Sequence, residues 1–293
     1  MSESVVADFV GRFYTPDVAG PSGGVAGDVP RGRVLLSEDQ LVLAADETEE
    51  HVPLSAVFDV KMGEVPDYLK PYFDDTVTVA YTASDERRVV AIEGDPDHIE
   101  KFGTVLFKTI LNGTDALVKH PARRGGRVTS AEARRAKLAL ARGAVGFRTP
   151  DDRVEIDLDT VVDVQRADRE FGGDHPVVQF RHLVDGTAQT TEAAIASRRL
   201  TNLLGRYVRT RYGDVQSELE EVGVSNEEEE VLVALYTAPG VSLANVVDFD
   251  PQRLTVVLRS LREKSLIAET DDDTELTVKG QMLASQRIEQ VND

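Results

Sequence analysis

The chain has 293 residues, 41% of them hydrophobic, so it can hold two or three domains with real cores and is too apolar to be disordered. It has no cysteine, no run of ~20 apolar residues and no basic-then-apolar N-terminal signal, which excludes disulfides and cysteine nucleophiles and predicts a cytoplasmic protein without membrane insertion. Lys and Arg total 33 against 52 Asp and Glu, a formal net charge of −19.

Two stretches in the first part of the chain share one pattern. Residues 32–60 align without gaps with residues 136–164, and large apolar residues coincide at nine positions where roughly four would coincide by chance. Asp59 and Asp163 also coincide. Each copy alternates as strand, polar turn, strand, acidic turn and strand. The nine pairs are Val34/Leu138, Leu36/Leu140, Leu41/Val145, Leu43/Phe147, Val52/Ile156, Leu54/Leu158, Val57/Val161, Phe58/Val162 and Val60/Val164.

Further strands and one helix follow in each copy. Residues 75–81 and 176–182 alternate as strands, and residues 89–93 add another in the first copy. Each copy then ends in an apolar stripe with the period of a helix. The stripes are Ile99, Phe102, Val105, Leu106 and Ile110 in the first copy, and Leu200, Leu203, Leu204, Tyr207 and Val208 in the second. This order predicts an α+β protein with two tandem pleckstrin-homology-like β-barrel domains, residues 1–117 and 118–213, each capped by a C-terminal helix.

The Gly- and Pro-rich stretch of residues 16–32 is predicted to be a loop after the first strand. It is not a phosphate-binding loop, because no Gly-Lys-Ser/Thr follows it and the next element is a strand rather than a helix.

The remainder of the chain has a different pattern. Residues 214–224 are predicted to continue the second helix as a connector. Ser225 is a good helix N-cap, and Asp250-Pro251 is a second helix start. A short helix near residues 243–247, two wing strands at residues 266–269 and 275–278, and a closing helix at 279–288 complete a winged-helix-like domain, residues 225–293.

No pattern for catalysis or metal binding is present. The histidines at positions 51, 98, 120, 175 and 182 have no HExxH or His-x-His spacing, and no Gly-x-Ser-x-Gly elbow occurs. Carboxylates are so abundant that any pair could be nominated. The sequence therefore predicts no catalytic residue, no metal, no cofactor and no enzymatic activity.

The acidic composition indicates a source. Carboxylate-rich, Lys-poor surfaces suit molar salt, where the Debye length is only ~3 Å, so a halophilic archaeal source is predicted, with an acidic mesophile as the alternative.

The charges are distributed unevenly. Within this acidic chain, residues 119–148 carry a net charge of +8 and residues 193–213 a net charge of +5. We interpret these two basic islands as a docking surface for an acidic partner. The alternative is that Arg stems cover the surface and pair with nearby acids. The candidate partner-binding residues are Arg123, Arg124, Arg127, Arg134, Arg135, Lys137, Arg198, Arg199, Arg206, Arg209 and Arg211.

A winged helix suggests DNA binding, but the charge of the last domain disfavours it. Residues 225–293 carry a net charge of −8, and the wing tip at 271–273 is wholly acidic, whereas phosphate contacts need several cations. Protein contact or homodimerisation is the favoured use. A transcriptional regulator with β-rich sensor or dimerisation domains remains the alternative. Lipid binding is disfavoured because an early turn, residues 46–50, is DETEE.

The whole chain resembles the CheF family of archaeal taxis proteins. The resemblance is clearest in residues 32–37 with 41–43, in residues 54–60, and in residues 258–261 with 276–280. It implies an adaptor that binds the phosphorylated response regulator CheY and relays it to the switch proteins of the archaellum motor, to which it is recruited at the membrane. Contacts with CheD and CheC-type proteins are also implied. The resemblance supplies no binding motif, so the arginine islands remain a hypothesis from charge.

Overall fold

A computed structural model describes residues 4–16, 28–46, 48–167, 176–184, 186–195, 197–238, 241–269 and 274–292. These ranges contain seventeen β-strands and five α-helices, and the strands pair antiparallel throughout. The fold class is therefore α+β, as predicted. Most of the predicted Gly/Pro-rich loop, the tip of the predicted wing at 271–273 and His175 lie outside the described residues.

The first sheet contains seven strands in the order β4-β3-β2-β1-β7-β6-β5. The helix that follows begins where Asp95 accepts a hydrogen bond from the backbone N–H of Asp97 and Pro96 occupies the first turn. Its predicted apolar stripe faces the core. The elements are β1 (Val5–Tyr14), β2 (Arg31–Ser37), β3 (Gln40–Ala45), β4 (Thr48–Pro53), β5 (Val57–Met62), β6 (Val77–Ala83), β7 (Glu86–Glu93) and α1 (Pro96–Leu111).

The second sheet has the same order one repeat later, β12-β11-β10-β8-β15-β14-β13, with a short extra strand, β9, paired to β8. Its helix runs through residue 221, so the predicted connector is largely the end of that helix. The elements are β8 (Asp115–Arg124), β9 (Arg127–Val128), β10 (Arg134–Ala141), β11 (Ala144–Arg148), β12 (Arg153–Asp157), β13 (Val161–Ala167), β14 (Val177–Val184), β15 (Thr187–Ile195) and α2 (Arg198–Glu221).

The internal repeat extends to local irregularities of the backbone. Both copies place a short 3₁₀ turn before the last strand of the aligned segment, at Leu54–Ala56 and Leu158–Thr160. Both then have a register shift, between Val57 and Asp59 in one copy and between Val161 and Asp163 in the other. Seven of the nine aligned apolar pairs are buried on both sides. The gapless alignment therefore identified two copies of one backbone.

The prediction of closed barrels is wrong. Within the described residues β4 does not pair with β5, nor β12 with β13, so each sheet is open between its first four strands and its last three. In the first copy, α2 of the second copy packs against β5. The guanidinium of Arg199 donates to the backbone oxygens of Leu54 and Val57, at 3.2 and 2.6 Å. Polar groups at the start of this edge strand are thus satisfied by a side chain of the next domain rather than by β4.

The two β domains share one continuous core. A single cluster of buried side chains runs through both sheets and both helices. Phe107 of α1 meets Tyr207 of α2 edge to face, with ring centroids 5.5 Å apart. The side-chain oxygen of Asn112, just after α1, accepts a hydrogen bond from the backbone N–H of Leu140 at 2.7 Å. The two copies therefore form one packed unit.

The last part of the chain has the predicted order of elements. A capping box between Ser225 and Glu228 opens its first helix, and the carboxylate of Asp250 caps the next. Residues 243–245 form only a 3₁₀ turn, and the closing helix begins at residue 278, which shortens the predicted second wing strand. The elements are α3 (Asn226–Thr237), α4 (Pro251–Glu263), β16 (Ile267–Glu269), β17 (Thr274–Leu276) and α5 (Val278–Asn292).

The tail packs onto the second β domain as that domain packs onto the first. Helix α5 contacts β13, the counterpart of β5. Val162, at the register shift of β13, is buried in the core of the tail together with Leu219 near the end of α2. Each β domain thus presents its last edge strand to a helix of the following domain.

Candidate docking surface

The first basic island is divided between two places on the second sheet. Arg123 and Arg124 end β8 and face the short strand β9, whereas Arg134 pairs with Val118 near the other end of β8. Val118 and Arg124 are six positions apart along the strand, a distance of about 20 Å at ~3.3 Å per residue. The island is therefore two separate patches.

The first patch is the tip of the β8–β9 hairpin. Arg124 and Arg127 are directly opposed across the two strands, with Gly125 and Gly126 between them at φ of 53° and 77°. Positive φ at both positions is the geometry of a tight two-residue hairpin turn, which glycine adopts without steric cost. Arg124, Arg127 and both glycines are exposed. Within the described part of the chain, neither arginine has an ion pair.

The second patch lies at the start of β10. Arg134 and Arg135 are exposed and have no ion pair with another described residue. Lys137 is different, because its ammonium lies 2.7 Å from the carboxylate of Asp115 on the neighbouring strand. Asp115 thus offsets one of the three charges of this patch.

Two arginines of the second island join the two β domains. Arg199 binds the backbone oxygens at the start of β5, as described above. Arg206 forms a two-point ion pair with Asp59 of β5, with Nε–Oδ1 and NH2–Oδ2 distances of 2.8 and 3.2 Å. The sequence predicted both as partner-binding residues, and the structure instead gives each a contact inside the chain. Asp59, the partner of Arg206, is one of the positions that coincide in the alignment of the two copies.

The other described arginines of this island are on the free side of α2. Arg198 and Arg209 are eleven residues apart, about three helical turns, so they share a face, and both are exposed. The Nε of Arg209 donates to the oxygen of Gly205 one turn back, at 3.3 Å. Arg211 belongs to α2, but its side chain lies outside what the structure describes.

A cleft of about 550 Å³ separates the second β domain from the tail, and no sequence pattern predicted it. The hairpin glycines Gly125 and Gly126 line one wall, and Glu275 of β17 lies on the opposite one. Arg181 of β14 stacks over the ring of Tyr236 of α3, 5.2 Å from its centroid. These residues are far apart in sequence, so only the docking of the tail brings them together.

The interior of the second β domain contains a polar cluster on three adjacent strands. The hydroxyl of Thr191 lies 2.7 Å from Nδ1 of His120 and 3.0 Å from Nε2 of His182. The two imidazole rings stack with centroids 5.9 Å apart. Burial lowers the pKa of His182 to about 4, helped by the nearby His120. Burial also lowers the pKa of His120. The negative charge of Asp152 raises that pKa, whereas the positive charge of Arg124 lowers it further. Both rings are thus kept neutral near pH 7.

The tail also contains a buried carboxylate. Glu228 is 5% exposed and accepts hydrogen bonds from Ser260, from Lys264 and from the backbone N–H of Ser225, each at 2.7 Å. Although burial favours the neutral form, these donors dominate and lower the pKa of Glu228 to about 2. The arrangement fixes the start of α3 against the end of α4, a structural role.

Helix α4 is the helix that would bind DNA in a winged-helix regulator, and one of its cations is paired with a carboxylate. Arg253, at the start of α4, forms a two-point pair with Glu227 of α3, at 3.0 and 2.5 Å. This pairing removes one of the cations that phosphate binding would need.

Within the described ranges, no group of three or more His, Cys, Asp or Glu side chains could hold a metal ion. In the same ranges, no helix combines the length and apolar character required to cross a bilayer.

Comparison with known proteins places the chain among taxis proteins. Residues 5–214 match the family model described as archaeal chemotaxis signal transduction system protein F. Taxis protein CheF2 of Halobacterium salinarum is 42% identical over 294 residues, covering 100% of both chains. Taxis protein CheF1 of the same organism is 29% identical over 270 residues, 88% of each chain. A solved structure of the Spt16D Pob3N heterodimer covers 62% of this chain and 87% of its own, but its TM-score of 0.25 and identity of 12% carry no argument.

The family match covers both β domains, and the relative from H. salinarum extends it through the tail. The chain therefore belongs to the CheF family of archaeal chemotaxis signal transduction proteins.

Proposed function

We propose that this chain is a non-enzymatic adaptor that binds the response regulator CheY, in its phosphorylated form, and couples it to the switch proteins of the archaellum motor. Family membership supports a role in taxis signalling. Exposed arginines on the second β domain, without ion pairs among the described residues, support protein docking. In this proposal the chain is cytoplasmic, is recruited to the motor, and also contacts CheD and CheC-type proteins.

The architecture that carries this function is, in the same proposal, two pleckstrin-homology-like domains and a winged-helix domain. The strand order 4-3-2-1-7-6-5 followed by a helix supports the first assignment, although the sheets are open. Two helices with a 3₁₀ turn between them, a two-stranded hairpin and a closing helix support the second. Pairing of Arg253 with Glu227 favours a protein-binding use of that domain over a DNA-binding one.

The docking surface is narrower than the eleven residues that the sequence nominated. Arg199 and Arg206 contact the first β domain, and Lys137 pairs with Asp115. The remaining described candidates are the hairpin tip, the pair Arg134 and Arg135, and the α2 pair Arg198 and Arg209. Short, partly desolvated guanidinium contacts would keep their strength at high ionic strength better than long-range attraction does.

Co-purification with tagged CheY, with and without a phosphate mimic such as beryllofluoride, tests the proposal. Wild-type protein should retain CheY, and more of it with the mimic. The variants R134E/R135E and R198E/R209E test two of the surfaces separately. The matched control R31E/K101E reverses two exposed charges of the first β domain. Failure of the wild-type protein to retain CheY in either state would refute the proposal.

A further inference from the structure

The β8–β9 hairpin carries an unfavourable charge arrangement that nothing described inside the chain relieves. Arg124 and Arg127 are cross-strand partners. Side chains in such positions have Cβ atoms about 5 Å apart, and like charges there are destabilising. Neither guanidinium has an ion pair with a described residue, and both are exposed. An anion supplied from outside would turn this repulsion into two attractive contacts.

The hairpin is also held firmly at its tip and at its base. The backbone N–H of Gly125 donates to the oxygen of Ala188 on the β15 side, at 2.9 Å. At its base, the N–H of Thr129 donates to the oxygen of Ala122 at 3.1 Å, and the Thr129 hydroxyl donates to the oxygen of Pro121. The two arginines therefore project from a fixed support, which reduces the entropy lost when a partner binds.

The surroundings of the tip suit an acidic protein segment. Gly125 and Gly126 have no side chains, so an approaching chain can reach the backbone between the two guanidinium groups. The same glycines line the 550 Å³ cleft, and Arg181 lines it on the same domain's side. On the other face of the hairpin, Val128 is 69% exposed, and it is the cross-strand partner of Arg123. The hairpin thus carries its two facing cations and an exposed apolar side chain on opposite faces.

We infer that the Arg124–Gly125–Gly126–Arg127 turn is the primary contact for the acidic partner, clamping carboxylates of one acidic segment between its two guanidinium groups. This inference rests on the proposed function and goes further, because it assigns the contact to four residues and to carboxylate chemistry. Each guanidinium can donate two parallel hydrogen bonds to a carboxylate.

Full-length R124Q/R127Q tests the inference in two binding assays. The first is CheY retention, and the second is fluorescence anisotropy with a fluorescein-labelled octapeptide of alternating Asp and Gly. The double variant should weaken both interactions at least about tenfold, the change that 1.4 kcal/mol produces. R31Q/K101Q, with two exposed cations removed from the first β domain, should bind like the wild-type protein.

The outcomes separate this inference from the proposed function. If R134Q/R135Q abolishes CheY retention while R124Q/R127Q leaves it intact, the inference is wrong and the adaptor role stands. If wild-type protein does not retain CheY, the adaptor proposal fails, and the octapeptide then decides the inference alone. Octapeptide affinity unchanged by R124Q/R127Q would overturn it, and a tip-dependent loss would support it.

A second readout reports directly on the tip. The charge of Arg124 contributes to the lowered pKa of His120. A carboxylate bound to Arg124 should therefore raise the pKa of His120, measured from its ring proton resonances with and without saturating octapeptide. In Arg124→Gln the octapeptide should leave that pKa unchanged. An equal response in wild type and variant would place the bound peptide elsewhere.

Discussion

Arg206 of the second β domain forms a bidentate ion pair with Asp59 of the first. Both side chains are about one-third exposed, at 37% and 27%. The pair lies beside the Arg199 contacts to β5, so α2 is bound to that strand by two guanidinium groups. Docking of one repeat on the other therefore has a charged component that point substitutions can test.

Asp59→Ala should destabilise the protein by about 1–2 kcal/mol, because a two-point, half-buried pair is lost and Arg206 is left unpaired. Urea unfolding with matched m-values measures the change. Asp8→Ala is the control, because it removes a carboxylate that pairs with Arg33 at a more exposed site. That control should cost clearly less, because an exposed ion pair contributes little to stability. Equal costs would show that the interdomain pair contributes no more than a surface one.

Lys264→Met should cost about 3 kcal/mol, since it leaves the Glu228 carboxylate buried without its cation. Thermal or urea unfolding near pH 7 measures this. Because the folded pKa of Glu228 is about 2 and its ordinary value is 4.5, its contribution is complete above pH 4.5 and is lost as the pH falls towards 2. Glu228→Gln should remove that pH dependence. A Lys264→Met variant as stable as wild type would contradict this account.

The neutral histidines should make the protein acid-sensitive. His182 has a pKa of about 4 in the folded chain against 6.5 when free, so the unfolded state binds the extra proton between those values. Stability should therefore fall from about pH 6.5 down to pH 4, by about 3 kcal/mol for a shift of this size. His182→Gln should flatten the profile across that range. A wild-type profile that is level from pH 6.5 to 5 would count against the buried neutral pair.

Arg127→Glu should stabilise the β8–β9 hairpin and weaken partner binding together. The substitution replaces a like-charged cross-strand pair with an opposite one, worth about 0.2–1 kcal/mol. The same glutamate would repel an acidic segment. Chemical denaturation and CheY retention measure the two effects. Arg31→Glu, an exposed position at the start of β2, controls for a general change of charge. If Arg127→Glu were both less stable and binding-competent, the arginine pair would have a structural role.

Much of the fold could be predicted because apolar residues recur at the same positions of the two copies. Leu43 and Phe147 are both fully buried, as their alignment required, and even the register shifts at 57–59 and 161–163 correspond. Helix starts at Ser225 and Asp250 were visible because capping is local chemistry. The prediction of closed barrels was wrong because closure depends on which element packs against the edge strand. In the structure α2, and not β4, packs against β5.

The candidate site was only partly predictable for the same reason. Counting charges along the chain located the arginines but could not separate Arg206, which turns towards Asp59, from Arg209, which faces outward three residues later. Sequence distance also hid the cleft, since Arg181 and Tyr236 meet only through domain docking. Local patterns determine elements, whereas the partner of an individual side chain depends on tertiary contacts.

The packing of α5 against β13 has a consequence for how the chain can be shortened. The family match ends at residue 214, which invites a fragment that stops after the second β domain. Such a fragment would uncover Val162 and leave β13 as a bare strand, open to pairing with a strand from another molecule. By covering this edge strand, the tail protects the second β domain from self-association. We expect fragments that lack the tail to aggregate.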